Sequence, residues 1–168
     1  MSSDQVIIRD NYLSDEEFNV IQTATSLGSN FNWVHHNHNN DNNSFFNHQF
    51  THCLNYNGAW VTDRRDLFEP ITNYLEAFAL VRIKVNLLVA TPEPVFGGFH
   101  VDCFRPDICK SAVLYLDDTD GPTEFGHGRK VDCVANRFVE FPSNLEHASW
   151  SPTNKSYRRV INFCWVPR

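Results

Sequence analysis

The stretch Val81, Arg82, Ile83, Lys84, Val85, Asn86, Leu87, Leu88, Val89 decides the fold. Apolar residues at 81, 83, 85, 87 and 89 alternate with polar ones at 82, 84 and 86, the two-residue period of a strand whose faces meet different surroundings. Further strand-like runs follow at 98–102, 111–116, 130–134, 138–141 and 159–166, and turn-formers separate them at 91–94, 117–122, 142–144 and 151–154. Short strands at close spacing with no helix between them predict an antiparallel sandwich or barrel, and a jelly roll is the economical choice.

Upstream the pattern changes. Val6 to Ile8 reads as a short strand, and Ser14 with Glu17 forms a capping-box signature ahead of Phe18, Ile21 and Ala24, a helix that ends near Gly28. A second helix is predicted from about Thr62 to Phe78, carried by Leu67, Ile71, Tyr74, Leu75 and Phe78. Between the two, residues 35–43 hold three His, five Asn and one Asp without an apolar anchor. They read as a mobile surface loop that closes when substrate arrives; a metal site built from His35, His36 and His38 is the sharper alternative. The expected class is mainly β with flanking helices (α+β). Residues 1–168 are expected to form one domain, with an N-terminal strand and supporting helices over 1–80 and a metal-binding jelly-roll core over 81–168.

Composition narrows the function. A chain of 168 residues buries roughly 70% of its unfolded surface, so its core needs neither disulfide nor structural metal, and a metal found here would be functional. With 14 Lys+Arg against 20 Asp+Glu, the net charge of -6 is the wrong sign for nucleic acid as a primary partner. The N-terminus lacks a basic, then apolar, leader, and no window approaches 18 apolar residues, so a soluble cytoplasmic protein without a membrane partner is expected. The five cysteines form an odd set with no C-x-x-C pair and read as reduced thiols, mostly buried.

His100 and Asp102 sit at i and i+2, which on a strand share a face and can converge on one metal ion. With 8 His and 12 Asp in the chain, chance supplies about 0.6 such triplets, so a third ligand is needed. His147, several predicted strands later, completes two imidazoles and one carboxylate, the facial set that leaves open positions on Fe(II). Eleven residues on, Arg158 shares a strand face with Val160 and Asn162 and offers a rigid charged fork to a carboxylate; such an Arg facing a barrel interior implies an anion. His127 with Arg137 is the rival His-then-Arg pair. It lies in a glycine-flanked turn too soon after Asp102 for the chain to return, so His147 is preferred.

These pieces add up to a family resemblance. Phe99 to Asp102, Ala112 to Asp117 with Gly121 to Phe125, Asn136 to Pro142, Glu146 to Ala148 and Tyr157 to Phe163 occur in the order that resembles the iron(II)/2-oxoglutarate-dependent dioxygenases, and within them the small prolyl-4-hydroxylase-like proteins of phages and bacteria. The resemblance covers about Lys84 to Pro167. It implies a double-stranded β-helix, another name for the jelly-roll barrel. It also implies a hydroxylase of a peptidyl substrate, prolyl included, or of a small molecule, with succinate and CO2 as co-products. In that picture His100, Asp102 and His147 hold Fe(II), and Arg158, rather than Arg159, pairs with the distal carboxylate of 2-oxoglutarate. Tyr115 helps hold the same carboxylate and Asn86 is a weaker candidate. O2 is the second co-substrate and ascorbate a stimulant. Gly121-Pro122-Thr123 departs from the Gly-Gly-Thr of close relatives. The retained carboxylate ligand separates the chain from the halogenating branch.

A catalytically silent jelly-roll binding module with a vestigial metal site is the alternative, and a cupin-type enzyme without 2-oxoglutarate leaves Arg158 unexplained. Arg64, Arg65, Arg105 and the Asn/His-rich segment are the candidates for an entrance. The sequence does not specify substrate or oligomeric state.

Overall fold

The computed structural model describes residues 6–37, 48–103 and 107–168. The chain runs β1 (Ile7–Arg9), α1 (Asp15–Ala24), β2 (Val34–Asn37), β3 (His48–Tyr56), β4 (Ala59–Trp60) and α2 (Arg65–Thr72), then a 3-10 turn (Asn73–Leu75). There follow β5 (Ala77–Val89), β6 (Lys110–Tyr115), β7 (Thr119–Phe125), β8 (Lys130–Cys133), β9 (Phe138–Pro142), β10 (His147–Ser149) and β11 (Tyr157–Pro167). One antiparallel sheet has the order β1-β9-β6-β11-β5-β3-β2, with β4 on β3, and a second has the order β10-β7-β8. Among the described residues no helix is long and apolar enough to cross a membrane.

The alternation in β5 sorts the molecule into two cores. Ile83 and Val85 face outward, where Leu114 of β6 and Ile161 and Phe163 of β11 join them against Phe18 and Ile21 of α1 and Phe68 and Ile71 of α2. The opposite face of the same sheet presents Val113, Tyr115, Val139, Phe141 and Val160 to Phe125, Val131 and Cys133 of the small sheet. The double-stranded β-helix is this pair of facing sheets, and the helices back the large one from outside. The polar residues Arg82, Lys84 and Asn86 therefore point between the sheets and not to bulk solvent.

The capping box forms as expected: the Ser14 side chain accepts from the Glu17 amide, and the Glu17 carboxylate accepts from the Ser14 amide. Four other expectations change. The second helix stops at Thr72 rather than Phe78, because Pro70 lies inside it and Glu76 turns left-handed at φ 47° to start β5. Phe78 is then a strand residue, 79% exposed. His35 and His36 belong to β2, paired with Phe50 and Gln49, because an edge strand tolerates polar residues on both faces; residues 38–43, His38 included, lie outside the described residues. The turn placed at 117–122 is strand from Thr119, and a shift of the β7–β8 register between Thr119 and Thr123 accommodates Pro122. Gly121 is required there, since a Cβ would lie 2.6 Å from the Trp150 carbonyl oxygen. Finally, 98–102 is not a strand; His100 makes a lone bridge to His147.

Candidate metal centre

That bridge builds the site. The His100 amide donates to the His147 carbonyl and the His147 amide to the His100 carbonyl, each at 3.0 Å, which locks the two imidazoles side by side with ring centroids 4.5 Å apart. Gly98 takes φ 83°, a conformation open to glycine, and its carbonyl oxygen lies 3.3 Å from His100 Nδ1. His147 Nδ1 likewise lies 3.1 Å from the Leu145 carbonyl oxygen. Both contacts place the proton on Nδ1, which leaves Nε2 as the lone-pair nitrogen of each ring.

Those Nε2 atoms face Asp102. His147 Nε2 is 3.3 Å from Oδ2 and His100 Nε2 is 4.0 Å from Oδ1. One ligand atom from each of His100, Asp102 and His147 lies within 4.8 Å of the others. His147 Nε2 is buried and has no hydrogen-bond partner, for the Asp102 oxygen beside it is near but not aligned. A divalent ion fits this arrangement: a carboxylate and two imidazole nitrogens, with one nitrogen otherwise orphaned in the interior. Arg82 Nη2 donates to Asp102 Oδ1 at 2.8 Å; Asn162 Nδ2 donates to Oδ2 at 3.4 Å, while Asn162 Oδ1 accepts from Asn86 Nδ2 at 2.6 Å. Burial opposes ionisation of Asp102, but the Arg82 guanidinium beside it, joined by the two imidazoles whenever they carry a second proton, holds the carboxyl well below the usual range.

The three residues open onto a cavity of about 180 Å³ between the sheets, lined also by Gln49, Arg82, Lys84, Asn86, Thr123 and Arg158, among others. Arg158 is 2% exposed. Its Nη2 donates to Thr123 Oγ1 at 2.9 Å, its Nε has no partner, and no carboxylate lies within 4 Å among the described residues. Burial, with Arg82 next to it, pulls the Lys84 pKa below its usual 10.5.

The structure redistributes the other candidates. Tyr115 is fully buried and does not reach the cavity; its hydroxyl donates to Thr123 Oγ1 at 2.7 Å, its ring lies 5.3 Å from the Arg158 guanidinium carbon, and burial pushes its pKa up to about 12. Asn86 does line the cavity; its Nδ2 donates to Asn162 Oδ1, while its own Oδ1 is buried with no partner among the described residues. His127 sits in the turn after β7, outside the cavity, and Arg137 pairs with Asp10 at 2.6 Å. Arg159 faces the helices, bound to Asp117. Arg64 donates to the Asn30 carbonyl and Arg65 pairs with Glu69 on α2, so neither is at the entrance; Arg105 lies outside the described residues. The sequence reading missed Thr123, Arg82, Lys84 and Gln49 as cavity residues. The even-numbered polar positions of β5 are the signal that points to two of them. Cys103, Cys109 and Cys164 form a second compact cluster, in which burial raises the Cys109 pKa to about 11 and pushes that of Cys164 upward as well.

No family model and no curated protein matches this sequence. Solved structures do. A Pseudomonas putida prolyl-4-hydroxylase is similar over 97% of this chain and 92% of its own, at TM-score 0.64 and 16% identity. A 2OG-Fe(II) oxygenase family oxidoreductase from Burkholderia pseudomallei is similar over 95% and 84%, at 0.68 and 14%. The non-heme alpha ketoglutarate dependent epimerase SnoN from nogalamycin biosynthesis is similar over 98% and 77%, at 0.68 and 15%. At such identities the likeness establishes the jelly-roll fold of these oxygenases.

Proposed function

We propose that this chain is an Fe(II)- and 2-oxoglutarate-dependent oxygenase that hydroxylates a peptidyl or small-molecule substrate, with succinate and CO2 as co-products. One observation carries the reading. His147 Nε2 and Arg158 Nε are buried polar atoms that nothing among the described residues satisfies, and both belong to residues lining the same cavity. A metal ion relieves the first and a carboxylate the second.

His100, Asp102 and His147 would hold the iron, and Arg158 would take the distal carboxylate of 2-oxoglutarate as a two-pronged donor. Iron and 2-oxoglutarate, once bound, supply the oxygen-activating chemistry that the side chains lack. The chain itself contributes orientation. Arg82 and Asn162 fix the Asp102 carboxylate, the Gly98 and Leu145 carbonyls fix the imidazoles, and Thr123, itself held by Tyr115, fixes the guanidinium. Leu88, Val113 and Val160 make the cavity wall apolar between these groups and limit water. The Pseudomonas putida relative in fold is a prolyl hydroxylase, so proline-containing peptides are the first substrates to try, ahead of free amino acids and nucleobases.

The test is succinate release from 2-oxoglutarate in air with Fe(II) and ascorbate. Slow release alone, accelerated by a substrate and abolished in Asp102→Ala, is the expected result. No succinate under any condition, with no iron bound, overturns the reading in favour of a silent binding module.

A further inference from the structure

The same cavity carries more positive charge than iron and 2-oxoglutarate use. Among the described residues Arg82, Lys84 and Arg158 line it against the single carboxylate of Asp102. A divalent metal adds two positive charges and the dianionic co-substrate cancels two, which leaves an excess of two in a half-enclosed space where screening by water is weak. Arg82 is spoken for by Asp102, though its Nε remains buried and unsatisfied. Lys84 forms no hydrogen bond and no ion pair among the described residues. Lys84 is half-buried and faces the cavity with no anion paired with it among the described residues, so its charge is available to a ligand.

Strand register separates Lys84 from Arg158, which would hold the far end of the co-substrate. On β11, Arg158 stands opposite Leu88 and Asn162 opposite Lys84. The two levels are thus four residue steps apart on β5, about 13 Å along the strand. The end carboxylate carbons of 2-oxoglutarate are only about 5 Å apart, from ordinary carbon–carbon bond lengths. Asp102 touches Asn162, so the metal cluster stands near the Lys84 level. A co-substrate reaching from Arg158 to the metal has both ends occupied, and Lys84 faces what arrives beside the metal.

Resting on the function proposed above, we infer that Lys84 is an anion-recognition point for the substrate, which carries a carboxylate or phosphate close to the C–H bond that reacts. Arg82, held by Asp102, adds field without taking the anion. Lys84 is then a specificity residue: it selects acidic substrates and orients them from the opposite end of the cavity to Arg158.

The experiment uses the full chain loaded anaerobically with Fe(II) and saturated with 2-oxoglutarate. Two probes are titrated by calorimetry: inorganic phosphate, and aspartate capped as its N-acetyl methylamide. At least one binds the wild type, and which one separates phosphate from carboxylate chemistry. Lys84→Met weakens that binding by about tenfold or more, the loss of one charge-assisted bond. Lys84→Arg keeps it, and 2-oxoglutarate affinity is unchanged in both variants. Binding of neither probe, or equal binding to wild type and Lys84→Met, overturns the inference while the oxygenase reading stands. Loss of 2-oxoglutarate affinity in Lys84→Met overturns it too, since Lys84 would then serve the co-substrate. Failure of the wild type to bind 2-oxoglutarate sinks the parent reading and this one with it.

Discussion

Arg158 and Arg159 are consecutive on β11 and almost equally buried, at 2% and 3% exposure, yet their surroundings are opposite. Arg159 turns to the helix-backed face, where Nε and Nη2 grip the two oxygens of Asp117 at 3.0 and 2.6 Å and Nη1 donates to the Gln22 carbonyl. Arg158 turns into the cavity with one hydroxyl partner and an idle Nε. The contrast extends across the sheet. On the outer face Glu140, opposite Ala112, is paired by both Arg9 and Lys110. On the inner face neither Lys84 nor Arg158 has a carboxylate partner among the described residues. A buried charge already matched by the protein serves the fold; one left unmatched serves a ligand.

The sharpest way to break this comparison is at the metal cluster. His147→Ala is expected to abolish stoichiometric Fe(II) binding, measured by metal analysis after gel filtration, and to leave the apo-protein melting temperature within a few degrees. Iron that leaves with His127→Ala and survives His147→Ala would place the centre elsewhere.

Next in size is the outer face. Arg159→Leu strands Asp117 without its partner, and removal of one member of a buried pair costs about 3 kcal/mol or more. Asp117 keeps 15% of its side-chain exposure, which sets the lower end of that range. Urea unfolding should show the loss in the midpoint at unchanged slope. A variant as stable as wild type would mean that the outer charges are not structural.

Asn162→Leu tests positioning within the inner face. It removes the donor beside Asp102 Oδ2 and the acceptor for Asn86, and metal affinity should fall by about tenfold, as for other outer-shell partners of metal ligands. Unchanged affinity would show that Arg82 alone orients the carboxylate.

The smallest effect is at Glu140. Burial opposes its ionisation, but Lys110 and Arg9 outweigh it and lower its pKa below 4.5. Its folded value lies below its unfolded one, so its contribution is complete above the unfolded pKa and disappears as pH falls through the folded pKa. Both cations are 45% exposed, which keeps the contribution to about 1 kcal/mol or less. Glu140→Gln should flatten the acid side of the stability profile by that amount; an unaltered profile would remove Glu140 from the group of matched charges.

How much of this was legible follows from the same division. The β5 alternation announced two environments, and the ligand trio with Arg158 stands in one cavity because residue type and order encode it. Less visible was which partners each charge would find. Tyr115 sits on the inner face as expected, but Thr123 captures its hydroxyl, a contact across two sheets that no local pattern encodes. Arg82 and Lys84 resemble the solvent side of an amphipathic strand, and only the closing of the second sheet makes them interior. The helix read through 62–78 failed where an apolar spacing shared by helix and strand ran across Pro70.

The central claim is that the unmatched arginine is the ligand-binding one. Calorimetric titration of 2-oxoglutarate into anaerobic Fe(II)-loaded wild type, Arg158→Leu and Arg159→Leu, with a melting curve on each sample, tests it directly. The account predicts a crossed result. Arg158→Leu loses about two orders of magnitude in 2-oxoglutarate affinity, the cost of about 2–5 kcal/mol for removing one side of a buried pair, and melts no lower than wild type. Arg159→Leu melts markedly lower and, while folded, binds 2-oxoglutarate as wild type does. Equal losses of affinity in the two variants, or a destabilised Arg158→Leu that still binds 2-oxoglutarate normally, would contradict it.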